Sequence, residues 1–209
     1  MLFNQYELHN YLNEHTVKGI IHIGAHECEE LTYYHQHLKI DDSKILWIEA
    51  NPDLVIKAKN KFPQSHIVQG VCSNTEGKEV EFLVTNNFQS SSILPLGTHL
   101  KHHPHIHVSG TQKLTTTTLD KIMQEYPDVQ RVANFINIDV QGAEKLVLEG
   151  GQQTLKSIDY IYAEVNAEEL YQGCSLLPQF DEFLLSYGFK RVMTKMTEYR
   201  WGDALYVRQ

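Results

Sequence analysis

IIHIGAHECEE, residues 20–30, is an apolar run that breaks at a single glycine, Gly24, and passes into an acidic stretch. It reads as a strand over residues 19–24, a turn, and a helix over residues 27–38, the first unit of an alternating β–α chain. The alternation continues outward. KILWIE, residues 44–49, is a second strand closed by Asn51 and Pro52, and Pro52 suits the first turn of a helix over residues 53–62. Residues 65–69 form a third strand ended by Gly70, and EVEFLVT, residues 79–85, alternates like a strand with one buried face. Residues 86–112, rich in Ser, Asn, Gly and His, break every period and predict a long, irregular lid loop. Beyond it, Thr118 caps a helix over 119–126, and NFINI, residues 134–138, is apolar enough for a central strand. Residues 142–155 are helical with an interruption at Gly150 and Gly151, residues 160–165 form a strand, and residues 178–187 form a helix stopped by Gly188. Residues 189–193 and 204–207 pair as a closing antiparallel hairpin. The expected fold is α/β: a single doubly wound, mainly parallel, Rossmann-like sheet with an antiparallel C-terminal edge hairpin.

Composition narrows the class. The chain has 209 residues, 42% hydrophobic and 21% charged, which fits one globular domain over residues 1–209, led by a short helix over residues 4–13 within an N-terminal segment of residues 1–18. A net charge of −8, from 18 basic and 26 acidic residues, disfavours nucleic acid as a partner. Cys28, Cys72 and Cys174 are widely spaced with no CxxC, which argues against a structural zinc site or a disulfide framework and suits a reducing compartment. The opening MLFNQYELHNYLNEH is too polar for a signal peptide or a membrane span, so the expectation is a soluble, cytoplasmic protein with no membrane partner. Such a chain also suits one module of a longer multidomain protein.

In a doubly wound sheet the ligand sits at the carboxyl ends of the strands. Those ends carry Gly24, Ala25 and His26, then Glu49, then Gly70 and Val71, then Asp139, then Glu164 with Asn166. A carboxylate after the second strand sits where adenosine ribose hydroxyls are gripped, because an acceptor-only group takes both hydroxyl protons. A dinucleotide loop wants three glycines in GxGxxG so that a helix start can approach a pyrophosphate, and only one is present. Glu27, Glu29 and Glu30 suit the helix dipole but oppose an anionic ligand. A ligand carrying an amine and a sulfonium tolerates them, which favours S-adenosylmethionine over NAD. The expected cofactor contacts are His22, Gly24, Ala25 and His26, then Glu49 and Ala50, then Val71, Cys72 and Ser73, and finally Asp139.

FINIDVQGAEKLVLEG, residues 135–150, with IYAEVN, residues 161–166, resembles the FkbM-type methyltransferases. The resemblance extends to HIGAHECEE, to IEANP at residues 48–52, to Ser90, Ser91 and Ser92, and to TTLD at residues 117–120, and so covers most of the chain from Gly19 onward. It implies a Rossmann-like class I methyltransferase that uses S-adenosylmethionine on a hydroxyl of a sugar or glycan-like acceptor. Three positions depart from the family pattern: His22 replaces an acid, Cys28 a glycine, and Gln141 a common glutamate.

Methyl transfer to a hydroxyl requires alignment of the two reactants and removal of a proton from a weak nucleophile. One route uses Mg2+ or Mn2+ held by the oxygens of Asp139, Glu164 and Asn166, as resemblance to metal-dependent hydroxyl methyltransferases implies. In the alternative, Asp139 orients the cofactor and Glu164 caps the following helix. The other route draws a general base, such as His99 or His105, from GTHLKHHPHIHV, residues 97–108, where five of the chain's 12 histidines cluster. Two further readings stay open: a binding module for S-adenosylmethionine without catalysis, and an NAD-dependent oxidoreductase.

Overall fold

The computed structural model describes residues 1–209. The chain runs α1 (Gln5–Leu8), β1 (Ile20–Ile23), α2 (Leu31–Gln36), β2 (Ile45–Glu49), α3 (Pro52–Lys61), β3 (His66–Gln69), β4 (Val71–Cys72) and β5 (Glu79–Thr85). It continues with α4 (His99–His102), β6 (Val108–Thr117), α5 (Leu119–Glu125), α6 (Pro127–Val132), β7 (Phe135–Ile138) and α7 (Glu144–Glu149). β8 (Tyr160–Asn166), α8 (Leu177–Ser186), β9 (Phe189–Met196) and β10 (Trp201–Arg208) complete it. No helix is long and apolar enough to cross a membrane.

Seven strands form one sheet in the order β3-β2-β1-β7-β8-β10-β9. The first five are parallel, and the C-terminal pair is antiparallel, as the polar turn between its strands predicts. The period of two divides the sheet's side chains between two cores. Ile21, Ile23, Leu46, Ile48, Ile136 and Ile138 join one core. Ile20, Ile45, Trp47 and Phe135 join the other, with Leu8, Leu31 and Tyr34. β1, β2 and β7 are buried along their whole length, which is why their sequences are near-continuous apolar runs.

Three expectations are corrected. The lid ends earlier than residue 112, because β6 begins at Val108 and builds a second, three-stranded sheet, β4-β6-β5. This strand is polar and mostly exposed, so no apolar period announces it. The helix expected over residues 27–38 starts at Leu31, because His26 and Cys28 adopt left-handed backbone with φ of 46° and 58°. The helix expected over residues 142–155 shrinks to α7 and a separate 3-10 turn at Thr154–Ser157, since Gly142 has φ of 95° and Gly150 ends the helical run.

Candidate functional site

β1 leads outward through β2 to β3, whereas β7 returns to the opposite flank of β1, so the strand order reverses between β1 and β7. At such a reversal the loops leave in opposite directions and open a crevice at the strands' carboxyl ends. A cavity of about 590 Å³ lies there, within the range of small-molecule sites. Six carboxylate residues line it, Glu29, Glu30, Glu49, Asp139, Glu164 and Asp203, and no lysine or arginine does.

Gly24 ends β1 with φ of 84°, and a Cβ there would stand 1.7 Å from the Asp139 carbonyl oxygen. The glycine is therefore demanded by the neighbouring strand end, not by a ligand alone. The amides of Gly24 and Ala25 both donate to the Ile48 carbonyl, at 2.9 and 3.0 Å, which ties this loop to the end of β2. Glu49 completes the tie: its two carboxylate oxygens accept from the backbone amides of His26 and Asn51, each at 2.8 Å. Each oxygen keeps a further lone pair for a ligand hydroxyl. Burial pushes the Glu49 carboxyl above its ordinary range, opposed by those amide bonds. Ala25, His26, Ala50, Val71 and Cys72 also line the cavity.

His22 sits in the second core, stacked on Trp47 with ring centroids 4.7 Å apart. Asn137 donates through Nδ2 to the Tyr34 hydroxyl at 2.8 Å, and that hydroxyl lies 3.0 Å from His22 Nδ1. With its lone pair engaged by Asn137, the tyrosine gives its proton to Nδ1, so the His22 proton resides on Nε2. Burial lowers the His22 pKa and keeps the ring neutral. Nε2 has no partner within the chain, and His22 lines the cavity.

The opposite wall holds the acids. Gln141 Nε2 donates to Asp139 Oδ1 at 2.6 Å and to Glu164 Oε2 at 3.0 Å, while Tyr171 donates to Gln141 Oε1. Glu144 Oε1 accepts from the amides of Val140 and Gly142, at 3.0 and 3.1 Å, and so pins the loop that carries Gln141. Asp203 faces Glu164 directly across β8 and β10 and accepts from the Tyr162 hydroxyl. Removal from bulk water, with mutual repulsion, pushes the carboxyls upward: Asp139 to about 6, Glu144 to about 7, and Glu164 well above its ordinary value. Asp139, although enclosed by these neighbours, opens onto the cavity, and its Oδ2 has no partner within the chain.

The histidine tract splits. His99, His103 and His105 line the cavity, whereas His102 pairs with Glu168. His99 is buried, packs against Tyr171 with centroids 5.5 Å apart, and is pushed down to about 4 by burial and its histidine neighbours, which makes it a poor base at neutral pH. His105 is exposed at the rim. Two expected residues lie outside the cavity. Ser73 is buried where its amide donates to the Thr117 carbonyl at 2.9 Å, joining β4 to β6. Asn166 is 1% exposed at the end of β8, bridged to Leu176, and does not line the cavity, so the oxygen set Asp139, Glu164 and Asn166 is not assembled. Asp139, Glu144 and Glu164 do place one carboxylate oxygen each within 4.8 Å of one another. The Gln141 amide already engages two of them and backbone amides engage the third. These residues do not fit a divalent metal as they stand.

Glu144, Tyr171 and Asp203 had no assigned role in the sequence. Asp203 carried the one readable signal, an acid inside the apolar strand WGDALYV.

The profile of the Methyltransferase FkbM domain matches residues 22–191. The chain belongs to the FkbM methyltransferase family. This FkbM domain is 33% identical over 99 residues to the 2-O-methyltransferase NoeI of Sinorhizobium fredii (strain NBRC 101917 / NGR234), across 44% of this chain and 40% of that protein. It superposes on the crystal structure of methyltransferase FkbM from Methylobacillus flagellatus KT with a TM-score of 0.59 and 13% identity, over 91% of this chain and 43% of that one. It also superposes on magnesium protoporphyrin IX methyltransferase (ChlM) from Synechocystis PCC 6803, solved with bound SAH, with a TM-score of 0.51 and 8% identity, over 92% of this chain and 74% of that one. The structural likenesses show a shared fold. This FkbM domain spans less than half the length of NoeI and of the Methylobacillus protein.

Proposed function

We propose that the chain transfers a methyl group from S-adenosylmethionine to a hydroxyl of a sugar or glycan-like acceptor. The observation that carries this reading is the charge of the cavity: six carboxylates and neither lysine nor arginine line a crevice at the strand crossover. Such walls attract a sulfonium and an ammonium and repel a pyrophosphate, which sets NAD aside. The residues fit the cofactor: Glu49 has lone pairs for two ribose hydroxyls, and His22 offers a neutral N–H donor. Bound S-adenosylmethionine supplies a methyl already activated by its sulfonium.

The chain's own task is to position the acceptor and take its proton. Asp139 is the group suited to that task, with a partner-free Oδ2 on the cavity and a carboxyl raised to about 6. A base of that strength is ionised at neutral pH yet takes a proton far better than an ordinary carboxylate. Asp139 would take the proton of the acceptor hydroxyl, whose oxygen would receive the methyl that bound S-adenosylmethionine would supply. Gln141 fixes one carboxylate oxygen and leaves the other free. Trp201 lines the same cavity, is partly exposed, and is the aromatic side chain suited to pack on a sugar. The similarity to a 2-O-methyltransferase, NoeI, supports oxygen as the methylated atom. Three unpaired cysteines support a reducing, cytoplasmic setting.

Mass spectrometry of a panel of sugars and glycans incubated with the protein and S-adenosylmethionine tests the reading. A methyl gain lost in Asp139→Asn is expected. Cofactor binding with no methyl gain on any hydroxylated acceptor would assign the chain to the non-catalytic binding modules instead.

A further inference from the structure

We propose that Gln141 takes the place of a cation: its amide holds Asp139 and Glu164 together and keeps divalent metal out of the site. Three observations converge on this residue. Its Nε2 lies 2.6 Å from Asp139 Oδ1 and 3.0 Å from Glu164 Oε2, and a primary amide has two N–H donors for those two acceptors. Its Oε1 is taken by the Tyr171 hydroxyl, and its backbone carbonyl accepts from Ser92 Oγ at 2.8 Å. Its backbone is left-handed, with φ of 56°, a conformation that a non-glycine side chain keeps only when its surroundings impose it.

The physical consequence concerns two carboxylates held side by side, Glu164 buried and Asp139 open to the cavity. Without a partner they repel in a low-dielectric setting, and either a metal ion or hydrogen-bond donors must offset that cost. Gln141 supplies donors without net charge, and in doing so fills the space between the oxygens that a metal would need. Glu144, the third carboxylate nearby, spends Oε1 on two backbone amides. Replacing the amide with a carboxylate removes both donors and adds a third hard oxygen ligand, which turns the same pocket into a set suited to Mn2+. Gln141 is thus a positioning residue, and proton removal by Asp139 proceeds without metal. This rests on the functional reading only for that last step, since the metal claim stands on the apoprotein.

Calorimetric titration of Mn2+, with thermal melting in parallel, tests it on the full chain. Wild type and Asp139→Asn are expected to respond alike to Mn2+, with no uptake that depends on Asp139. Gln141→Glu is expected to melt lower than wild type in a chelator, to recover with Mn2+, and to bind one Mn2+ in a manner lost in the Gln141→Glu, Asp139→Asn double variant. If Gln141→Glu does not fold, Gln141→Ala, which clears the same space, carries the same expectation. Uptake by wild type that Asp139→Asn abolishes would overturn the proposal, as would a folded Gln141 variant that gains no Asp139-dependent uptake. A separate titration with S-adenosylhomocysteine isolates the functional reading, because its loss leaves the Mn2+ result unchanged.

Discussion

At Gly24 the backbone is fixed by its neighbour: the left-handed φ and the 1.7 Å approach of an added Cβ to the Asp139 carbonyl leave no room for a side chain. Gly24→Ala is expected to lower stability by more than about 2 kcal/mol in denaturant melts, since strained backbone and a clash with main chain add. Asp139 sets the pH behaviour. Its carboxyl rises from an ordinary 3.8 to about 6, and that of Glu144 from 4.5 to about 7. The folded chain therefore holds these protons where the unfolded chain has released them. The stability they contribute is full in acid and is lost as pH rises through about 6 to 7. Methyl transfer should move the opposite way, rising through about 6 as the base ionises. Stability and rate profiles against pH check both signs: Asp139→Asn is expected to flatten the stability slope and abolish the rate, whereas His99→Gln leaves the rate midpoint in place. Gly24, Glu49, Asp139 and Glu164 were legible because each ends an apolar run. Their distant partners were not, because Tyr171 and Asp203 reach the site only through folding.

Elements followed their signals where those signals were local. Thr118 caps α5, its side chain accepting from the Lys121 amide at 3.2 Å, and Pro52 opens α3. Thr118→Ala is expected to cost about 1 kcal/mol, measured by the same denaturant melts. β6 escaped detection because its own residues are polar and mostly exposed, which leaves no apolar period to read. The start of α2 was misplaced because nothing in the letters of His26 and Cys28 reveals left-handed backbone. The presence of Cys28 at φ of 58° does explain a family preference for glycine there. Its buried thiol, pushed up to about 12 by burial and nearby glutamates, is a packing group and no nucleophile.

For the whole molecule, the reversal of strand order places one crevice where the loops after β1, β2, β7 and β8 meet. Under the proposed function, the charge of that crevice selects S-adenosylmethionine over NAD. Calorimetric titration of S-adenosylhomocysteine into wild type and Glu49→Gln, with NADH titrated alongside, tests it most directly. The expected result is binding of S-adenosylhomocysteine to wild type, weakened about tenfold, or ~1.4 kcal/mol, in a Glu49→Gln variant that still folds, and no binding of NADH to either. Binding of NADH without S-adenosylhomocysteine, or equal affinity in wild type and Glu49→Gln, would contradict it.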